Sequence, residues 1–454
     1  MARETVNRKN RKGFPMNESI KECMQKGGVV GNGGAGFPAY AKLAEGADTL
    51  LINASECEPL LETDYVLMRE YMDRMLLGAE LVMEAAGIPK TLLCLKAHNA
   101  ERLGIREGEE LAPHIFVKEL PDVYPIGDEI GMIYQATGRV VRPGNLPITK
   151  GIIVYNVETL YNISFAVKEQ KPVTEKWLTI GGAVEKTLVL RVPIGMRLRD
   201  LFRLYHIEVP EGYSVIDGGP SMGKVIHYQT ATVQKTTKGL LILPDYIPAV
   251  AGKGGDMKTQ ISRASSMCCQ CTRCTDMCPR NLLGYPLYPH KMVRTATSVV
   301  ELTPEMILTA NLCCGCGVCE TAACCQNISP RNVILEYKTI LAKNRMKYVG
   351  NEDVFVDEYR DSRLIPISRW KSLLGVAPYD REAEYISTPV TARVVELGLS
   401  QHIGAPSVPC VSVGDTVKVG DMVAGAGNGL SVPTYASISG RVTHVDEKKI
   451  VVEA

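Results

Sequence analysis

The stretch TLLINASECEP, residues 49–59, carries the reading of the fold. Thr49–Ile52 reads as a strand of the buried type. Polar Asn53, Ser55, Glu56 and Glu58 follow at its C-terminal end, where open α/β sheets bind ligands. Downstream, EYMDRMLLGAELVMEAAG (70–87) has helical periodicity and KTLLCLKA (90–97) reads as a second strand. Strand, helix and strand in this order predict a parallel sheet with covering helices.

Upstream lies GGVVGNGGAGFPAYAKL, residues 27–43. Gly31, Gly33 and Gly36 match GxGxxG, but only Val29 and Val30 precede them, and a dinucleotide fingerprint should follow a full strand. NESIKECMQK (17–26) reads as a helix with Asn17 as its cap. The expected arrangement is therefore helix–loop–helix. Two readings of the loop stand side by side: a surface turn, or a backbone that must closely approach a flat or phosphorylated ligand.

Composition narrows the class. The chain has 454 residues, enough for two to four domains at ~100–200 residues each. Lys and Arg number 51 against 50 Asp and Glu, so no bulk basic field argues for nucleic acid. The first dozen residues, MARETVNRKNRK, lack the apolar core of a secretory signal. No apolar run approaches the ~20 residues of a membrane helix.

Of 15 cysteines, Cys23, Cys57, Cys94 and Cys410 are scattered and the rest fall in two short runs. Tight spacing in a long chain reads as metal binding in a reducing compartment. MCCQCTRCTDMCPR (267–280) holds Cys268-x2-Cys271-x2-Cys274-x3-Cys278-Pro279, the bacterial ferredoxin spacing. CCGCGVCETAACC (313–325) holds Cys313-x2-Cys316-x2-Cys319-x4-Cys324, with Cys325 where proline normally follows. Zinc needs only four ligands and shows two separated CxxC pairs, so two CxxCxxC triplets oversupply it. Two [4Fe–4S] clusters are expected. In two-cluster ferredoxins the fourth cysteine ligates the other cluster. Crossed ligation would place one cluster on Cys268, Cys271, Cys274 and Cys324, with Cys325 as the alternative fourth ligand. The other would sit on Cys313, Cys316, Cys319 and Cys278, leaving Cys269 and Cys314 spare.

GNGGAGFPAYAKL, LLINASECEP, YPIGDE (124–129) and NVETLYNI (156–163) occur in that order. Together they resemble the family of the flavin-binding, NADH-oxidising subunit of respiratory complex I. That family includes the RnfC protein of the Rnf complex and the cobalamin reductases of propanediol-utilisation microcompartments. The resemblance implies FMN enclosed by the glycine loop and the NVET segment, with NADH stacked on the flavin. Gly31, Gly33, Gly34 and Gly36 would line that pocket, and Lys42 would offset the FMN phosphate. Asn53 and Glu56 would hold the isoalloxazine and ribityl edge. Tyr124, Gly127, Asp128 and Glu129 would sit near flavin and nicotinamide, and Asn156 and Thr159 would reach the phosphate side. Glu56 and Glu129 are the catalytic candidates. Ser55-Glu56-Cys57 stands where complex I relatives carry Asp-Glu-Ser, and Asp128 where they carry Glu.

Residues 174–254 alternate short strands with glycine turns and resemble the ubiquitin-like SLBB domain of the same family. VIDGGPSMGKVI (215–226) lacks the P-loop spacing and reads as a turn. Residues 386–454 resemble a barrel-sandwich hybrid whose hairpin tip, Gly427-Asn428-Gly429, has no carrier lysine, so the domain reads as structural or partner-docking. The expected architecture is multidomain, α/β plus α+β. It comprises an N-terminal tail (1–16), a flavin-binding domain of complex I type (17–173), an SLBB domain (174–254), a two-cluster ferredoxin domain (255–340), a linker (341–385) and the barrel-sandwich hybrid (386–454). Placement of the last domain after the clusters is the order of the cobalamin reductases, not of RnfC.

The implied function is electron transfer from NADH through FMN and two [4Fe–4S] clusters to a corrinoid. The alternative is an RnfC-like conduit linking NADH or a partner to ferredoxin or another reductase. Implied partners are the corrinoid or other acceptor, an adenosyltransferase or shell protein, and further copies of the chain, with no nucleic acid and no membrane span. The implied place is the cytoplasm, within a microcompartment.

Overall fold

A computed structural model of the chain describes residues 19–32, 34–254, 256–297, 303–350 and 352–454. Asn17, Gly33, the tail and part of the spacer between the cysteine runs lie outside the described residues.

The first helix is Ile20–Lys26 (α1). Ser19 caps it in a reciprocal box: its hydroxyl accepts from the Glu22 backbone and the Glu22 carboxylate accepts from the Ser19 backbone. The expected second helix after the glycines is instead one 3₁₀ turn, Ala39–Lys42. Val30 bridges Pro38 and the Gly31 amide donates to the Phe37 carbonyl at 2.8 Å, so the loop closes as a hairpin and leaves room for a single turn.

The first sheet contains Thr49–Asn53 (β1), Lys90–Lys96 (β2), Glu110–Ala112 (β3), Ile115–Leu120 (β4) and Ile152–Asn156. Val123–Tyr124 (β5) lies outside it, so Ile152–Asn156 is β6, and the sheet order is β3-β4-β2-β1-β6. All pairs are parallel except the edge strand β3. Leu50, Leu51 and Ile52 are fully buried because helices cover both faces, the pattern that turns a parallel strand into an apolar run. Thr63–Ala86 (α2) follows β1, Ala97–Leu103 (α3) follows β2, Glu129–Thr137 (α4) follows β5, and Val157–Lys168 (α5) follows β6. α2 and α5 pack so closely that a Cβ on Gly78 would lie 2.0 Å from the Leu160 carbonyl oxygen.

A second sheet is built from Glu175–Gly182 (β7), Leu188–Pro193 (β8), Tyr213–Asp217 (β9), Lys224–Ile226 (β10) and Gly239–Pro244 (β11), in the order β10-β9-β11-β7-β8. The helix Leu198–Leu204 seals its core with Leu198, Leu201 and Phe202. The cysteine runs lie among short helices flanked by Met257–Met267 and Pro330–Lys343. The C-terminal residues form two small antiparallel sheets around Val395, Leu397, Val423, Val442, Ile450 and Val452.

The segment 341–385, expected to be a linker, is woven into the rest. Ile365–Pro366 pairs with β5, and Glu384–Tyr385 extends the second sheet beside β8. Its helix Ile367–Leu374 carries Trp370, which is fully buried.

Candidate flavin and iron–sulfur sites

β1 is the first strand of the sheet, β2 and β4 add on one side of it, and β6 adds on the other. The direction of winding therefore reverses between β1 and β6, the switch point at which open α/β sheets bind ligands. The last residues of these two strands, Asn53 and Asn156, are register partners. Asn53 Nδ2 donates to the Gly127 carbonyl at 3.0 Å, and its Oδ1 accepts from the Ser55 amide at 3.2 Å. Asn156 caps α5 by accepting from the Glu158 amide, and its Nδ2 donates to Asp64 at 2.8 Å.

The other expected residues gather around this crevice. The Asn32 amide donates to the buried Thr159 hydroxyl at 3.0 Å, which ties the glycine loop to the start of α5. A Cβ on Gly34 would meet nothing within 4 Å, so this part of the loop faces open space. Gly36 has φ +72° and sits against Gln401, His402 and Thr236, where an added Cβ would be strained and crowded. Gly127 lies so near Ser55 and Cys57 that its Cβ would fall 2.5 Å from the Ser55 carbonyl oxygen. Lys42 Nζ is 2.9 Å from Glu129 Oε1 and also donates to the Val154 carbonyl. Asp128 caps α4 through the Gly131 amide and pairs with Arg280 at 2.7 Å.

Beneath the crevice is a buried charge cluster. Lys238 Nζ lies 2.8 Å from Asp64 and 3.2 Å from Glu56. Burial pushes the Glu56 carboxyl up to about 7 against the pull of Lys238. Burial opposes the Lys238 charge, but Asp64 and Glu56 outweigh it and hold the ammonium above its ordinary range. Glu58 accepts from the amides of Ser221 (2.8 Å) and Met222 (2.9 Å), so the GPSMG turn of the second sheet is clamped to the first domain. Burial still raises the Glu58 carboxyl.

The Tyr124 ring is fully buried and stacks on Trp370 at 4.3 Å, and its hydroxyl donates to the Cys316 carbonyl at 2.7 Å. Trp370 Nε1 in turn donates to the Ser221 hydroxyl.

The cysteines fall into two cavities. Cys268, Cys271, Cys274 and Cys324 line one, together with Cys269 and Cys325. Cys278, Cys313, Cys316 and Cys319 line the other, together with Cys314 and Arg280. Of the eight expected ligands, each cavity thus draws three from one run and one from the other. The first opens to solvent, since Cys269, Cys271 and Cys325 are exposed with their sulfurs within 4.8 Å of one another. The second is buried at Cys278, Cys316 and Cys319. Burial pushes the Cys274 and Cys278 thiols up to about 12. The donor sets suit iron–sulfur clusters and the strand-end crevice suits a phosphorylated flavin.

Sequence reasoning did not single out Asp64, Lys238, Trp370 or Arg280. Only Arg280 had a local signal: a cation immediately after the Cys278-Pro279 pair. The others reach the site from distant elements. Among the described residues no helix is long and apolar enough to cross a membrane.

Residues 24–165 match the Nuo51 FMN-binding domain, residues 267–329 a 4Fe-4S dicluster domain, and residues 375–454 the RnfC barrel sandwich hybrid domain. The cobalamin reductase PduS of Citrobacter freundii is 41% identical over 443 residues, covering 96% of each chain. PduS of Salmonella typhimurium is 40% identical over 437 residues, again covering 96% of each. The C component of the proton-translocating ferredoxin:NAD(+) oxidoreductase complex of Clostridium ljungdahlii is 30% identical over 273 residues, 58% of this chain and 57% of that protein.

Proposed function

Because the chain belongs to the family of the cobalamin reductase PduS and is an FMN and iron–sulfur oxidoreductase, we propose that it takes electrons from NADH and delivers them through two [4Fe–4S] clusters to a corrinoid. FMN, when bound, supplies the conversion of a two-electron hydride into single electrons. The protein supplies position. Asn53, Gly127 and Asn156 form the floor of the flavin crevice, and the glycine loop with Gly31, Gly34 and Gly36 covers it. Lys42 and Glu129 form a charge pair at its side, and Glu56 is the buried group able to hold or release a proton.

The observation that carries this reading is the contact of Tyr124 with Cys316. It puts the buried cysteine cavity directly against the segment bearing Gly127, Asp128 and Glu129. The solvent-open cavity of Cys268, Cys271, Cys274 and Cys324 is then the exit. On this reading residues 174–254 are an SLBB domain that clamps the flavin loop through Glu58. An adenosyltransferase, a shell protein or a second copy of the chain are the partners proposed for the exit face, within a microcompartment.

The second reading, a conduit to ferredoxin or another reductase, is favoured by the match to a component of the ferredoxin:NAD(+) oxidoreductase complex. Anaerobic stopped-flow mixing of FMN- and iron-loaded protein with NADH and aquocobalamin separates the two. Reduction of flavin and corrin together is the expected result. Flavin bleaching with an unresponsive corrin would select the conduit, and a flavin that stays oxidised would remove NADH as donor.

A further inference from the structure

Arg280 stands between the flavin segment and the buried cysteine cavity. Its Nη2 lies 2.7 Å from Asp128 Oδ1, and its side chain is 12% exposed. It lines the cavity of Cys278, Cys313, Cys316 and Cys319. The Cys314 thiol lies beside it, and the Tyr285 ring centroid is 5.6 Å from its guanidinium carbon. The Arg280 Nε is buried and has no hydrogen-bond partner among the described residues. A buried guanidinium N–H left unpaired is costly, and such a donor calls for an acceptor in the adjoining cavity. Asp128 uses its other oxygen to cap α4, so it is fixed and does not swing away to follow the arginine.

We propose that Arg280 is a positioning residue that raises the reduction potential of the cluster held by Cys278, Cys313, Cys316 and Cys319 and pins that cluster against the flavin segment. The proposal rests on the function proposed above. A fixed cation near the cluster stabilises its reduced, more negative form, and cluster potentials follow local charge, hydrogen bonds to sulfur and exposure. The Arg280–Asp128 pair sets how much of that cation the cluster feels. No cysteine of the solvent-open cavity is part of this pair, so the second cluster lies outside its control.

The test is a mediated reductive titration of iron-loaded protein followed by EPR, which needs neither NADH nor a corrinoid. Wild-type protein must first show two cluster signals; their absence would sink the proposed function, and this inference with it, before any variant is read. Arg280→Gln leaves Asp128 uncompensated and is expected to lower one midpoint potential. A tenfold change in that one-electron equilibrium, about 59 mV, is the expected scale. Asp128→Asn keeps the α4 cap, because asparagine caps as well as aspartate, and is expected to raise the same midpoint. The other cluster should hold its potential in both variants. Opposite signs on one cluster distinguish charge from mere disruption. If Arg280→Gln loses a cluster, Asp128→Asn decides alone. Two intact signals with unmoved midpoints in Asp128→Asn would overturn the proposal.

Discussion

The Tyr124 hydroxyl donates to the Cys316 carbonyl at 2.7 Å, so one hydrogen bond joins the flavin segment to a cysteine of the buried cavity. The bond is held from behind, because Trp370 stacks on the Tyr124 ring and is itself anchored on Ser221. Tyr124→Phe keeps the stacking and orphans the Cys316 carbonyl, at a cost of about 1–3 kcal/mol. Trp370→Ala empties the site, at about 3–5 kcal/mol. Both should lower the denaturation midpoint, Trp370→Ala by the larger amount. If Trp370→Ala is no more harmful than Tyr124→Phe, the segment 341–385 is not the structural wedge that its burial implies.

The φ of Gly127 lies outside the left-handed region that favours glycine, so its demand is for space. An added methyl would press on the Ser55 carbonyl and on Cys57 Sγ, 3.1 Å away. Overpacking of this kind costs about 1–3 kcal/mol. Gly127→Ala should therefore weaken FMN binding by roughly tenfold, since 1.4 kcal/mol is a factor of ten. Flavin fluorescence quenching on titration of the apo-protein measures it. Unchanged affinity would remove the 127–129 loop from the flavin site.

The two halves of the site differ in how far they can be read from local sequence. The β1 strand and its polar end announced themselves, because a buried parallel strand is an apolar run and its ligand end must be polar. The cysteine triplets are equally local, since the spacing is itself the coordination chemistry. What spacing does not carry is the docking of one element on another. Glu58 looks like any loop carboxylate until Ser221 and Met222, more than 160 residues away in sequence, present their amides. Trp370 sits in a stretch with linker composition and is decided by the partner surface of Tyr124. The glycine loop misled in the opposite way: helical flanks suggested helix–loop–helix, but the Val30–Pro38 bridge set the geometry.

Cys324 and Cys325 are adjacent, and one of them should be a ligand. Cys324 is partly buried and its sulfur accepts from the Ile328 amide at 3.3 Å, whereas Cys325 is exposed and lies 4.0 Å from the spare Cys269. Amide donors to sulfur are characteristic of cluster thiolates. Cys324→Ala should abolish one of the two reduced-cluster EPR signals and lower bound iron, while Cys325→Ala leaves both signals. The reverse pattern would move the fourth ligand to Cys325. Iron removal with a chelator should loosen the region around both cavities, read as faster amide exchange at 268–278 and 313–324.

Lys235 is buried among three parts of the chain. Its Nζ donates to the carbonyls of Gly28 and Pro433, both at 3.0 Å, with no carboxylate among the described residues to neutralise it. Burial pulls its ammonium down to about 7 from an ordinary 10.5. Between those values the unfolded chain holds a proton that the folded chain has released, so stability rises with pH across this window, by at most about 1.4 kcal/mol per unit. Below pH 7 the folded amine is charged and the full cost of burying it is present. Other groups titrate in the same range, so the informative quantity is the difference between wild type and Lys235→Met. Methionine removes the charge but orphans two carbonyls, a penalty that does not change with pH. The unfolding free energy of wild type relative to Lys235→Met should therefore climb between pH 7 and pH 10 in denaturant titrations. A flat difference would mean that the amine stays charged at this junction and draws its compensation from the two carbonyls alone.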